Sequence, residues 1–220
     1  MPHPSADDII ALYDRTADAW AAVRGRDAVI EGAWLDRFVA ALPAPSPAAG
    51  RERATVLDLG CGTGYPVAHA LLARGLRVTG LDAAPRQIAH ARAATPPEHR
   101  AAAEWVVADM RVPGAALAGR RFEGVLAWHS SFHLTPDDQR AMFPVYAAHA
   151  VPGAVLMFTS GPEPGEVIAA WEGAPLYHAS LEDEEYRALL AAHGFALVSH
   201  VRRDRACGDA SVWLARYAGG

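Results

Sequence analysis

The chain contains neither lysine nor asparagine, so its 20 basic residues are all arginine. That skew accompanies an abundance of alanine, arginine, glycine and proline and reads as a coding bias without functional content. Cysteine is scarce too: Cys61 and Cys207 are the only two, which excludes a disulfide framework and a cysteine-based zinc site. A formal net charge of -5 over 220 residues argues against a nucleic-acid surface, because neutralising phosphates needs clustered cations. No apolar run is long enough to span a bilayer, and Met1 to Asp8 lacks the basic-then-apolar order of a signal peptide. A cytoplasmic protein without membrane attachment is the expectation. What remains, 51% hydrophobic and 20% charged residues, is the balance of a globular chain able to build one core unaided.

The most informative stretch runs from Thr55 to Pro66. Thr55-Val56-Leu57-Asp58-Leu59 reads as a buried strand, and Gly60-Cys61-Gly62-Thr63-Gly64 as a tight turn into a helix. Glycine permits backbone angles that a Cβ blocks and lets a ligand approach the main chain. A dinucleotide turn has the spacing Gly-x-Gly-x-x-Gly and offers a helix N-terminus to a pyrophosphate. Here the third glycine comes one residue early, at Gly64, and Tyr65 takes the place of the expected glycine. Asp58 would repel a pyrophosphate and attract an ammonium group.

Two further strands end in acids. Arg77 to Asp82 is the second, and Asp82 stands about as far beyond the glycines as the acid that binds ribose hydroxyls in nucleoside-binding α/β folds. Ala103 to Met110 is read as the third, with Asp109 near its end. The fourth, Phe122 to Ala127, leads into Trp128-His129-Ser130-Ser131-Phe132-His133-Leu134, a polar and aromatic cluster where ligands meet the carboxyl ends of parallel strands. His129 and His133 are four apart, but no third ligand is evident nearby, so no metal is expected.

The order Asp58, Gly60-x-Gly62-x-Gly64, Asp82, Asp109 resembles the class I S-adenosylmethionine-dependent methyltransferases over about residues 54–217. The resemblance implies a Rossmann-like, doubly wound α/β sheet of seven strands, mostly parallel with the last strand antiparallel. It implies S-adenosylmethionine as cofactor, S-adenosylhomocysteine as product, and cofactor contacts from Asp58, Gly60, Cys61, Gly62, Gly64, Asp82, Ala83, Asp109, Met110 and Trp128. The asparagine-containing Asn-Pro-Pro-Tyr motif of the amino-methylating DNA enzymes is impossible here, and the carboxylate trio of the metal-dependent catechol enzymes is not evident.

The remaining segments complete the expected architecture. Ser5 to Asp8 caps a helix carrying Ile9, Ile10, Leu12, Tyr13, Ala17 and Trp20, and a second helix covers Ala28 to Leu42 before a proline-rich connector. Residues 1–53 are thus expected to form a helical cap and linker, and 54–220 the cofactor domain. Gly161 to Gly173 reads as a substrate-shaping loop with a short helix near Val167 to Trp171. Helix Leu181–His193 and strands Phe195–Val201 and Ser211–Arg216 follow.

Methyl transfer is an in-line displacement, so positioning supplies most of the catalysis. His129 or His133, titrating near neutrality, is the expected general base. Tyr13, Trp20, Tyr177 and His178 are expected at the substrate, a small molecule methylated on oxygen or nitrogen, with the protein monomeric or homodimeric and binding neither nucleic acid nor membrane. A nicotinamide oxidoreductase and a non-catalytic S-adenosylmethionine-binding module are the alternatives. Calorimetry with NADH discriminates the first, and an acceptor panel the second.

Overall fold

The structure is a computed structural model that describes residues 3–24, 29–45 and 52–219. Its strands are β1 (Thr55–Leu59), β2 (Arg77–Asp82), β3 (Ala103–Val107), β4 (Phe122–Ala127), β5 (Ala150–Ser160), β6 (Gly165–Trp171), β7 (Ala174–Ser180), β8 (Phe195–Asp204) and β9 (Ala210–Tyr217). Its α-helices are α1 (Ile9–Arg15), α2 (Ala17–Arg24), α3 (Gly32–Ala41), α4 (Val67–Ala73), α5 (Pro85–Ala94), α6 (Gly114–Leu117), α7 (Pro136–Ala148) and α8 (Asp183–Ala192). Seven strands form one sheet in the order β3-β2-β1-β4-β5-β9-β8. β9 runs antiparallel to both of its neighbours, and the remaining pairs are parallel. The order reverses between β1 and β4, which leaves a crevice at the carboxyl ends of those strands.

Both faces of the sheet are buried, so strands such as β4 are apolar at nearly every position. Side chains alternate between faces. Val56 joins Trp34, Leu35, Phe38, Leu71 and Ile88 on the face covered by α3, α4 and α5. Leu57 and Leu59 join Phe143, Tyr146, Phe158, Leu190 and Trp213 on the face covered by α7 and α8. Burying each such leucine or phenylalanine contributes about 1.5–3 kcal/mol. Asp58 shares the face of Val56, which carries its carboxyl toward the turn at the head of α4.

Several boundaries differ from the sequence expectation. The first helix breaks at Thr16, whose hydroxyl donates to the Leu12 carbonyl at 2.7 Å, giving α1 and α2 in place of one helix. The second begins at Gly32, and its expected start at Ala28 lies outside the described residues. α3 contributes Trp34, Leu35 and Phe38 to the core, so of the N-terminal helices only α1 and α2 reach over the crevice. β3 stops at Val107, leaving Asp109 in the following turn. α8 starts at Asp183, and the last two strands are longer than expected.

The largest correction lies between Gly161 and Ser180. Val167–Trp171 is not helical; it belongs to β6, which pairs antiparallel with β7 as a separate hairpin. Glu172 and Gly173 both have positive φ, 49° and 76°, the condition for a tight two-residue hairpin turn. Val167, Ile168 and Trp171 are strand formers, and their pairing with His178, Tyr177 and Ala174 overrides the proline and glycine content that read as a loop.

Candidate active site

The glycine turn is held by β2. The Gly60 and Cys61 N–H groups both donate to the Leu81 carbonyl, at 2.7 and 3.0 Å. Gly60 has φ +73°, and a Cβ there would meet Ser130 and the Met110 methyl at 2.9 Å, so only glycine leaves this wall open. Gly64 serves differently: a Cβ on it would strike the Trp105 ring at 2.5 Å, so it makes room for packing beneath the turn. Gly64 does not line the cleft.

Asp82 organises the next layer. Its carboxylate accepts from the Gly62 N–H and the Ala84 N–H, both at 2.9 Å. Burial raises its pKa, opposed by those two donors. Asp58 has a 2% exposed residue surface, and burial, reinforced by the negative Asp82, pushes its carboxyl up to about 7. Burial and the same two acids also push the Cys61 thiol up, so it is no nucleophile at neutral pH.

Two chambers meet at this turn. The first is lined by Asp82, Ala83, Gln87, Asp109, Met110 and Arg111 and opens to solvent. Burial works to raise the Asp109 pKa, but hydrogen bonds from Arg111 hold it below the usual carboxylate range. Arg111 also reaches Asp138 at 3.0 Å. Gln87 donates to the Tyr13 carbonyl at 3.1 Å, and its buried Oε1 has no partner among the described residues.

The second chamber is aromatic. Arg24, Asp58, Tyr65, Trp128, Phe132, Leu176 and His178 line it, and Tyr13, Trp20, Gly60, Gly62, His129 and His133 face both chambers. His129 has φ +51°, an uncommon angle for a side-chain-bearing residue, held where its N–H donates to Thr159 Oγ1 at 2.9 Å. Such strain costs on the order of 1–3 kcal/mol and concentrates at functional sites. Its ring nitrogens have no hydrogen-bond partner among the described residues. The buried indole N–H of Trp128 has none either.

His133 is fully engaged. Its Nδ1 lies 2.8 Å from the Tyr177 carbonyl, which requires the proton on Nδ1, so Nε2 accepts from the Tyr13 hydroxyl at 2.9 Å. Tyr13 reaches that point because α1 and α2 dock on α5 and the hairpin: Asp14 accepts from the Arg86 N–H at 2.8 Å, and the Trp171 indole donates to Thr16 Oγ1 at 2.9 Å.

The expectation of imidazoles titrating near neutrality is not met. Burial, then the Arg24 charge, pushes His129 down to about 4. Burial, then His178, pushes His133 down to about 3 against the pull of the Tyr177 carbonyl. Tyr177 itself does not line the cleft: its ring is buried and its hydroxyl donates to Glu166 at 2.6 Å, so it reaches the site only through its carbonyl. Gly64 apart, the other expected residues, Tyr13, Trp20 and His178 included, line one chamber or both. Sequence reasoning missed Gln87, Arg111 and Arg24. Gln87 lies one helical turn past Asp82 and Arg111 two residues past Asp109, so proximity to the acids was a usable signal. Nothing local marked Arg24. Among the described residues, no group of three or more His, Cys, Asp or Glu is arranged to hold a metal ion, and no helix is long and apolar enough to cross a membrane.

Residues 56–153 match a family model described as a methyltransferase domain. No curated protein sequence matches the chain. Among solved structures, it resembles the Burkholderia thailandensis 1,6-didemethyltoxoflavin-N1-methyltransferase with bound 1,6-didemethyltoxoflavin and S-adenosylhomocysteine. That match has 22% identity and a TM-score of 0.69, covering 99% of this chain and 90% of that one. The magnesium protoporphyrin IX methyltransferase of Synechocystis with bound S-adenosylmethionine matches at 16% identity and a TM-score of 0.70, covering 98% of each chain. An amino pentose methyltransferase of Micromonospora echinaspora matches at 23% identity and a TM-score of 0.64, covering 90% of this chain and 96% of that one. At these identities the likeness is one of fold.

Proposed function

We propose that the chain is a class I S-adenosylmethionine-dependent methyltransferase, a reading supported by the methyltransferase-domain match over residues 56–153, and that it methylates oxygen or nitrogen of a small molecule held in the aromatic chamber, with S-adenosylmethionine as donor and S-adenosylhomocysteine as product. The observation that carries this reading is the meeting of the two chambers at Gly60, Gly62, Tyr13 and His129. A ligand seated along the acid-ended strands has its far end where a second molecule can reach it. The three structural neighbours are named for small-molecule substrates, which supports an acceptor of that size.

The residues fit the donor. Asp58, a buried carboxyl in want of a counter-cation, suits an α-ammonium. Gly60, Cys61 and Gly62 offer it bare main chain, with Gly64 and Ala83 supporting the turn. Asp82 and the unpartnered Gln87 oxygen suit ribose hydroxyls. Asp109 and Met110 suit the amino group and face of adenine, and the unpartnered Trp128 N–H suits an acceptor oxygen. When bound, the donor supplies an electrophilic methyl carbon on a sulfonium.

The chain's own part is positional. Tyr13 and Trp20 close the chamber against water, with α1 and α2 as the cap within residues 1–53 and the cofactor domain in 54–220. His178 orients the acceptor, Tyr177 holds the His133 tautomer, and His133 holds Tyr13. His129, whose ring nitrogens are uncommitted, is the proton acceptor where one is needed. Calorimetry with S-adenosylhomocysteine and NADH tests the reading: one equivalent of the former binds and the latter does not. Binding of NADH alone overturns it. His129→Ala and His133→Ala, with donor affinity measured apart from turnover, test the imidazole roles, which fall if both variants keep full turnover.

A further inference from the structure

The hairpin of β6 and β7 shares no ladder with the seven-stranded sheet, yet its Leu176 and His178 wall the aromatic chamber. Side-chain bonds therefore have to fix where that wall stands. Two of them come from Gln139 on α7, which is buried and lines neither chamber. Its Nε2 donates one hydrogen to the Leu134 carbonyl and the other to the Ala179 carbonyl, both at 2.9 Å, and its Oε1 accepts from the Tyr186 hydroxyl at 2.5 Å. Two carbonyl partners leave the amide one orientation. Leu134 follows His133 and Ala179 follows His178, so a single carboxamide spans the two segments that carry these imidazoles. The two rings stand 4.7 Å apart between centroids, and His133 Nδ1 reaches the Tyr177 carbonyl at 2.8 Å. A fully satisfied buried network of this kind rigidifies the elements it joins.

On the reading of the aromatic chamber as the acceptor site, on which this rests, we propose that Gln139 is a positioning residue for methyl transfer. It holds the His133 segment and the His178 strand at one separation, and so sets the acceptor wall without touching either ligand. Tyr13 depends on the same clamp, because its hydroxyl donates to an Nε2 that is bare only while the His133 proton stays on Nδ1 for Tyr177. Without Gln139 the Leu134 and Ala179 carbonyls lose their shared donor, and the hairpin is free to shift against residues 131–134. The His133 proton is then no longer confined to Nδ1. Asp82 and the glycine turn hold each other through bonds that Gln139 does not share, so the donor end stays in place.

Histidine tautomers read the clamp directly, by long-range proton-nitrogen NMR correlation on the isotope-labelled full chain saturated with S-adenosylhomocysteine at neutral pH. The His133 signals are identified by their loss in His133→Gln. Burial keeps both imidazoles neutral there. Wild type is expected to show His133 locked with its proton on Nδ1. Gln139→Met fills the space without an amide, and Gln139→Glu keeps the shape and the acceptor for Tyr186 but loses the paired donors. In both, the locked pattern is expected to give way to exchange between tautomers, while calorimetric affinity for S-adenosylhomocysteine stays within about threefold of wild type. Tyr186→Phe removes the third partner of the amide and leaves both carbonyl bonds, so it should keep the Nδ1 pattern. A locked Nδ1 proton in both Gln139 variants overturns the proposal, as does equal loss of the pattern in Tyr186→Phe. So does loss of S-adenosylhomocysteine binding in both Gln139 variants, because the residue then supports the whole fold and not this wall. Failure of wild type to bind S-adenosylhomocysteine sinks the methyltransferase reading itself, and the proposal with it.

Discussion

Asp58→Asn should stabilise the ligand-free protein and cripple donor binding together. The Asp58 carboxyl titrates at about 7 against an ordinary 3.8, because burial and the neighbouring Asp82 penalise its charge. A displacement of roughly 3 pH units corresponds to about 4 kcal/mol, at 1.36 kcal/mol per unit, for holding the group ionised in the folded state above pH 7. The sign follows from proton binding. The folded state keeps its proton to higher pH than the unfolded chain, so the penalty is absent below about pH 4, grows between 4 and 7, and is complete above 7. A carboxamide escapes it but leaves its own polar atoms to satisfy, at about 1–3 kcal/mol. The net gain at pH 8 is therefore about 1–3 kcal/mol, which for a chain of this size raises Tm by roughly 2–10 °C. Loss of the charge partner of a buried ammonium costs about 3–5 kcal/mol, a weakening of roughly 10²–10⁴-fold. Thermal melts of wild type and variant at pH 8 and pH 4.5, with calorimetry against S-adenosylhomocysteine, read both effects. In wild type, affinity should also fall about tenfold for each pH unit below 7. A variant less stable than wild type at pH 8, or one that binds S-adenosylhomocysteine within threefold of wild type, refutes the assignment of Asp58 as an ammonium partner strained by its own burial.

Three further outcomes are expected. Gly60→Ala places a Cβ against Ser130 and the Met110 methyl at a φ of +73°, and should cost about 2 kcal/mol or more and abolish donor binding, read by denaturant melts and calorimetry. Tyr13→Phe removes the hydroxyl that donates to His133; turnover on the true acceptor should drop about tenfold or more while S-adenosylhomocysteine affinity stays within twofold, and equal turnover removes Tyr13 from the positioning role. Trp171→Phe deletes the indole bond to Thr16, should cost about 1 kcal/mol, and should raise the acceptor KM more than it lowers kcat, because it loosens the cap and leaves the cofactor end intact.

What the sequence revealed follows from how locally each part is encoded. Asp58, the glycines and Asp82 lie within 25 consecutive residues, on two adjacent strands and the turn after the first, so their spacing carried the candidate cofactor site. The contact of Tyr13 with His133 spans 120 positions, and no local pattern announces which of several aromatic residues an imidazole meets. The acidity of the imidazoles was invisible for a related reason: burial sets it, and Phe132, His178 and the hairpin supply that burial from distant parts of the chain. The hairpin itself escaped because Gly165, Gly173 and Pro175 read as loop residues, whereas Glu172-Gly173 is the turn between two strands. Gly64 was legible as a motif member but not as the seat of Trp105, which arrives from β3.

The cleft concentrates features that cost the folded chain stability. Among the described residues, Asp58 is buried with no cation to raise its acidity, His129 sits at φ +51°, and two of the five buried side-chain polar atoms without a partner belong to Gln87 and Trp128, which line the chambers. Each unmet polar group costs about 1–3 kcal/mol, a sizeable part of a total stability of roughly 5–15 kcal/mol. A core assembled only for packing would shed such groups. Their common remedy is one ligand with an ammonium, hydroxyls and an acceptor oxygen along the same path, so the ligand repairs what the fold leaves open. Stabilisation by such a ligand grows as RT ln(1 + [L]/Kd), about 2.7 kcal/mol at a hundredfold excess over Kd. The donor product should therefore shift Tm by roughly 5–10 °C at that excess, and the shift should shrink in Asp58→Asn, where one of the unmet demands is already gone.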